Sequence, residues 1–496
     1  MNTPTTNSRV NEFCSPELNN STRLSETALN RLTPETTTRW RVNRIFWIKD
    51  APPNTMLMCH DQRVSRSTEP EHLGFRCWSG DVEVDVKSPI TEEAFHAMPF
   101  MEQVGFLRTW KPNASNWDGP VREGLAAIVQ AEATVQSVCY FEHSDRLTGL
   151  DPLYSTALVR AFSEGLDGKT VSNWNSFWLF ATWVLEQPDP DTQIRDDFSG
   201  NTQLGRRWQS CRLEIARLVD AILDGKLAPL PLIERKSVWQ LIAALTRDPR
   251  PASAEETHDD EQVMDHLALS LNTAWGVAVH AVFSFVRWIR SHSSDDVQGG
   301  QNLDDVPEAR DALEALLDSR IESALTIRSV FGANMTRLAF WAETWLREHL
   351  EQILPVQGQD DQSEIAWKTF IRLSHTNFKT FALFRQHYSA AIARMSQDVM
   401  GEHRHRDSRV SLGKILVVSY CRGILDFEQP DNMLEAFFTR APESVRAEVM
   451  AFVGRSLAQS DGPIPPEILA RLLTLWNWLV QHESPSGGPG FGHIAA

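Results

Sequence analysis

From Pro89 onward the chain runs as one amphipathic segment after another, each about 10 to 20 residues long and closed by Pro, Gly or Asp. That pattern constrains the fold more than any motif does, because a helix with one apolar stripe has to bury it against another such helix. Between 213 and 223, Ile215, Leu218, Val219 and Ile222 recur at helical spacing and share one face. Val238, Leu241, Ile242 and Leu245 repeat the spacing. Wider stripes follow in Trp275, Val279, Val282, Phe283 and Val286, and in Phe381, Phe384, Tyr388, Ile392 and Met395. Leu469, Leu472, Trp476 and Leu479 make the last.

Start signals precede these stripes. Asp151-Pro152, Asp305 with Pro307, Ala441-Pro442 and Pro465-Pro466 place a cap or a first-turn Pro where a helix should begin. Pro-rich phrases at 183–191, 244–251 and 351–359 end stripes. No fixed period is legible, so the expectation is a mainly α fold built as an irregular, HEAT-like α-solenoid, with a compact multi-helix domain as the alternative. The only β signal is Val82, Val84 and Val86 alternating in DVEVDV, with RIFWIKD before it. The expected organisation is a flexible tail over 1–38, a small irregular or β-containing segment over 39–89, a helical repeat-like domain over 90–480 and a disordered tail over 481–496. Two polar, acidic stretches, 247–262 and 291–305, read as solvated insertions on one rim.

Composition narrows the function classes. The chain has 496 residues, 42% of them hydrophobic, which excludes global disorder. No apolar run reaches the length of a membrane span, and the N-terminus lacks a basic n-region and an apolar h-region. Cys14, Cys59, Cys77, Cys139, Cys211 and Cys421 form no CxxC pair and no disulfide framework, so a cytoplasmic protein is expected. A net charge of -17 repels phosphate backbones and makes nucleic acid an unfavoured partner. The excess of Arg over Lys reads as codon composition, and the 17 Trp read first as core packing between helices.

No complete catalytic motif is present. Ser163–Thr170 (SEGLDGKT) ends like a phosphate loop, but Ser163 stands where the first Gly is needed and the preceding ALVRAF reads as helix, not strand. A helix stop at Gly165 or Gly168 is the expectation. His403, Arg404, His405, Arg406 and Asp407 form the densest titratable cluster. A kinase catalytic loop would need Asn where Leu412 stands, and a metal site would need more ligands than Cys421 adds. Cys59, His60, His72 and Cys77 lack the spacing of a zinc finger. The acidic pairs Asp259-Asp260 and Asp360-Asp361 sit in hydrophilic stretches that suit solvation better than general acid-base work. The expectation is therefore no catalytic residue, no metal and no cofactor.

Several phrases together do carry a resemblance. SPITEEAFHAMPFMEQVGFLRTWKPNASNWDGPVREGLAAIV at 88–129, then DPLYSTALVRAFSEGL, SFWLFATWVLEQP, SVWQLIAALTRDPRP, LNTAWGVAVHAVFSFVRWIR, ALTIRSVFGANMTRLAFWAETWLREHLEQILP, IAWKTFIRLSHTNFKTFALFRQHY and FFTRAPESVRAEVMAFVGRSL resemble the helical C-terminal region of very large, uncharacterised bacterial ATP-binding proteins, some of them like the STAND-type NTPases of antiviral defence. The resemblance covers about residues 70 to 480. It implies a helical sensor or scaffold whose ATPase and effector activities reside in other domains, and it transfers no catalytic residue. The chain departs from that pattern in lacking a complete P-loop and in the glycine-rich end after Val480. A split or truncated form of a larger protein is the corresponding expectation.

These readings converge on a non-catalytic scaffold or sensor that binds a protein partner, such as an NTPase or effector subunit. Trp174, Trp178, Trp183, Trp341 and Trp345 discriminate: a shared solvent-facing groove favours partner recognition, and full burial makes them core. The alternatives are a metal-dependent hydrolase or nuclease assembled around His403 and His405, an inactive fragment, and an Arg-lined nucleic-acid face.

Overall fold

A computed structural model of the chain describes residues 87–113, 119–188, 207–248, 266–292, 302–318, 324–357, 360–374, 378–395, 407–427, 432–460 and 462–482. All of them belong to one unit, Lys87–Ala496. Among the described residues every regular element is helical, and no strand occurs. In chain order the helices are α1 (Glu92–His96), α2 (Phe100–Thr109), α3 (Arg122–Val135), α4 (Ser137–Glu142), α5 (Pro152–Gly165), α6 (Trp174–Glu186) and α7 (Trp208–Leu223). Next come α8 (Arg235–Leu245), α9 (His266–Leu271), α10 (Ala274–Ser291), α11 (Pro307–Leu317), α12 (Leu325–Trp341) and α13 (Glu343–Ile353). The last are α14 (Asp361–Leu373), α15 (Phe378–Ala393), α16 (Ser408–Cys421), α17 (Met433–Arg440), α18 (Glu443–Ala458) and α19 (Pro466–His482).

The helices stack in two rows. In the first, α3 packs on α5, α5 on α7, α7 on α10, α10 on α12, α12 on α14, α14 on α16 and α16 on α18. In the second, α4 packs on α6 and α6 on α8, and α15 packs on α17. Polar ties complete the second row. Arg235 of α8 pairs with Glu308 of α11 at 2.6 Å. Gln352 Nε2 of α13 donates to the Leu317 carbonyl of α11 at 3.1 Å, and His387 Nε2 of α15 donates to the Leu354 carbonyl at 2.8 Å. The protein is thus a mainly α helix stack of paired helices. First-row helices begin at intervals from 30 residues (122 to 152) to 66 residues (208 to 274), which is why no sequence period is legible.

The stripes read from the sequence are its core. Ile215, Leu218, Val219 and Ile222 are buried on α7, and Val238, Leu241, Ile242 and Leu245 on α8. The stripes of α10 and α15 are buried as well, with Met395 partly covered. One stripe differs. On α19 the buried positions are Leu475 and Leu479, whereas Leu469 and Trp476 are 44% and 36% exposed. α19 touches the stack chiefly through α16, so it has one covered side where the inner helices have two.

The start signals hold with one shift. Asp151 accepts from the Leu153 amide with Pro152 in the first turn of α5, whereas α11 begins at Pro307 after Val306, leaving Asp305 to pair with Arg290 at 3.0 Å. Two glycines mark places where backbones nearly touch. A Cβ at Gly332 on α12 would lie 2.3 Å from the Ala366 carbonyl of α14, and one at Gly276 on α10 would lie 2.2 Å from the Ser270 carbonyl. The tail over 1–38, the β signal at Val82–Val86, and most of the 247–262 and 291–305 stretches and of 481–496 lie outside the described residues.

Candidate functional site

The SEGLDGKT segment is a helix end. α5 runs through Gly165, where a Cβ would meet the Thr134 carbonyl at 2.5 Å, and Gly168 turns the chain at φ +64°. Glycine is needed here for helix contact and for a left-handed turn, not to cradle phosphate. Asp407 caps α16 by accepting from the Arg409 amide, and Leu412 is buried. His403 to Arg406, Asp259-Asp260, and Cys59, His60, His72 and Cys77 lie outside the described residues. Asp360 is the cap of α14, closing a capping box with Ser363. Among the described residues no group of three His, Cys, Asp or Glu is placed to hold a metal ion. Burial pushes the Cys211 thiol up to about 12 and raises those of Cys139 and Cys421, the opposite of what an activated nucleophile needs.

The five tryptophans separate. Trp174, Trp178 and Trp345 are buried, and Trp183 and Trp341 are half-buried. Trp174 and Trp178 join Phe141, Phe162 and Phe177 in an aromatic cluster under α6, so most of this tryptophan surface is core. Trp178 and Trp183 nevertheless also reach the walls of a cleft of about 1190 Å³ between α6 and α8.

Two helical stripes face each other across this cleft. α6 contributes Asn175, Leu179, Thr182 and Glu186, and α8 contributes Ser237, Gln240, Leu241 and Ala244. The helices run parallel. Near their starts Trp178 Nε1 donates to Glu234 at 2.8 Å, and at their ends Arg212 of α7 bridges both. Its guanidinium donates to the Gln187 carbonyl just past α6 and pairs with Asp248 just past α8 at 3.3 Å. Both side chains of that ion pair are under a tenth exposed, so the charges meet largely away from water. One cation thus answers the negative ends of two helix dipoles and ties α6 to α8 at their C-terminal ends. Trp183 is braced from outside the stripe by the edge of Trp208, 5.1 Å away.

The cleft floor is preset and its walls are mixed. Leu179 is 54% exposed, an apolar side chain among the amides and hydroxyls of Asn175, Thr182, Ser237 and Gln240, with Glu186 and Arg247 toward the Arg212 end. Such a surface offers hydrogen-bonding groups beside an exposed apolar side chain. The sequence reading singled out Trp178 and Trp183 and missed Leu179, Gln240, Arg212 and Asp248. The available signal was an apolar residue, Leu179, standing off the buried face of α6.

A second polar group lies between α7, α10 and α12. Ser284 of α10 donates to Asp220 of α7 at 2.7 Å, and Arg287 pairs with Asp224 at 3.0 Å and donates to the Leu223 carbonyl at 2.7 Å. Burial raises the Asp220 carboxyl, opposed by the Ser284 hydrogen bond. Burial also works against Asp224, but Lys226 and Arg287 outweigh it and hold that carboxyl below its usual range. His280 donates from Nε2 to Ser270 Oγ at 2.9 Å, the hydroxyl itself donating to the Leu267 carbonyl. Burial, with Arg337 adding, holds this imidazole down to about 4. Each of these groups ties one helix to the next, and they form a structural seam of the first row.

Searches of protein-family models, of curated proteins and of solved structures find no match to this chain.

Proposed function

We propose that the protein is a non-catalytic helical scaffold that recognises a segment of a partner protein in the cleft between α6 and α8. The observation that carries this reading is the pair of facing stripes on α6 and α8, joined by Arg212 at one end and by the Trp178–Glu234 contact at the other. A preformed cleft avoids much of the ordering cost that a flexible surface pays on binding. α6, with 13 residues, gives the cleft a length of about 20 Å, enough for three to four turns of a docked helix or an extended stretch of about six residues. Exposed Leu179 is the apolar anchor, and the surrounding amides and hydroxyls supply orientation.

The phrase resemblance adds a proposed identity for that partner, an NTPase or effector subunit of a bacterial defence-type system, in the cytoplasm. Among the described residues no helix is long and apolar enough to cross a membrane. The test is capture from the native host, with and without phage challenge, using the wild-type chain and Leu179→Arg side by side. Leu179 is exposed, so the substitution should leave the fold intact, which circular dichroism checks. The expected outcome is one or more proteins retained by the wild type and lost with Leu179→Arg. Identical captures by the two chains would overturn the cleft as the recognition site.

A further inference from the structure

α19 carries two apolar edges. One is turned to the stack: Leu475 and Leu479 are buried, and Arg471 reaches across to donate to the Tyr420 carbonyl of α16 at 3.1 Å. The other faces outward. Leu469, Leu473, Trp476 and Val480 are 44%, 55%, 36% and 59% exposed. Their spacing of four, three and four residues is the alternation of a and d positions in a heptad, the seam along which two helices interlock. No other described helix has four large apolar side chains exposed at this spacing.

The chemistry of the seam suits a second identical helix. Placing Leu473 and Val480 at a makes Ala470 and Asn477 the e positions and Leu472 and Leu479 the g positions, none of them charged. Two copies of a chain with net charge -17 therefore meet here without like charges beside the contact. The row is also its own mirror when read backwards. A two-fold axis between Thr474 and Leu475 sets Leu469 level with Val480 of the second copy and Leu473 level with Trp476, the a-to-d layering of antiparallel pairs. The same operation sets Glu467 level with His482, whereas a parallel arrangement would set Glu467 level with its own copy. We propose that the outward face of α19 is a self-association surface, on which two copies of this chain pair antiparallel. Four half-exposed side chains on each side bury about 800 Å² in total, below the ~1,200 Å² of stable specific interfaces and in the range of transient pairs, so the dimer is weak.

Sedimentation of the full chain from about 1 to about 200 µM reads this directly. The wild type should pass from the mass of one chain to that of two, and Leu473→Glu should move the midpoint upward at least about tenfold while leaving the helical signal unchanged. Orientation is read by mixing Leu469→Cys and Val480→Cys chains under mild oxidation. The mixture should give crosslinked dimer above the level of either chain alone. A wild type that stays at the mass of one chain throughout, or a dimer indifferent to Leu473→Glu, overturns the proposal. So does crosslinking that is strongest within each single variant, which would mean parallel pairing. So would a face occupied only by a different protein, seen as a wild-type monomer that enters a mixed complex through Leu473.

Discussion

Arg212 shows why a chain with 48 basic residues uses so many of them as Arg. Helix C-termini leave carbonyls without partners, and a stack of helices places each such end beside a neighbour. A guanidinium carries several donors in a planar fork, so one side chain serves a carbonyl and a carboxylate together. Arg287 does this with the Leu223 carbonyl and Asp224, and Arg328, Arg440 and Arg471 reach the carbonyls of Leu317, Ala393 and Tyr420. The Arg excess, read from the sequence as codon usage, thus has a structural use. Arg212→Met keeps an unbranched apolar stem and removes the guanidinium that Asp248 pairs with, and should cost about 3 to 5 kcal/mol in urea denaturation. A loss under about 1 kcal/mol would mean that water reaches Asp248 and that the clasp contributes little. His280 makes a second residue-scale prediction. Its pKa in the fold, about 4, lies below the ordinary 6.5, so the unfolded chain binds the extra proton between those values. Stability is then full above pH 6.5 and falls as pH drops toward 4, by at most about 3 kcal/mol from this group. His280→Gln, which retains a donor for Ser270, should flatten that slope, with the remainder coming from His387, which burial lowers in the same direction. An unchanged slope between pH 6.5 and 4.5 would place the proton uptake elsewhere.

At the scale of elements, helices were legible where an apolar stripe is buried on a face that the sequence period itself defines. α7, α8 and α10 satisfy this condition, and their stripes came through residue for residue. α19 does not. Leu469, Leu472, Trp476 and Leu479 obey the same spacing as an inner helix, but the period says only that residues share a side, not which side meets a neighbour. The helix presents an overlapping set, Leu475 and Leu479, to α16, because it has one partner where inner helices have two. The cleft was hidden for a related reason. Its two walls lie about 60 residues apart in sequence, on α6 and α8, and they become one site only because α7 sends Arg212 between the ends of both. Its lining is the solvent face of two ordinary amphipathic helices, and nothing local marks that face as functional. Leu179 is the one departure from the pattern, an apolar residue where a polar one would serve solubility as well. Its exposure lets Leu179→Arg alter the cleft wall without touching the buried face of α6.

At the scale of the whole described unit, packing is continuous and its principal contacts run between neighbours in a row or between paired rows, with α9 packed on α10 and α12 beside the first row. Stability in such a stack is close to a sum of helix-pair terms and neighbour terms, so cooperativity passes along a chain of interfaces and is limited by the weakest. The contact of α12 with α14 is the extensive first-row link between the helices before it and those after it. Gly332 lets the two backbones approach there, with Arg328 of α12 also donating to Gln362 of α14 at 3.0 Å. Gly332→Val would drive a branched side chain into the Ala366 carbonyl and into Thr369, forcing the helices apart at a cost of about 1 to 3 kcal/mol or more. If the stack behaves as neighbour terms, that cost falls on the junction. Amide exchange read by mass spectrometry should rise across α14 to α18 while α3 to α7 keep wild-type protection. A single two-state core would respond differently, with exchange rising by the same factor in slow-exchanging peptides from α5 and α16 alike. The two patterns differ at α5, which contacts α3, α4 and α7 and lies several helices from the substitution, so its exchange rate decides between them.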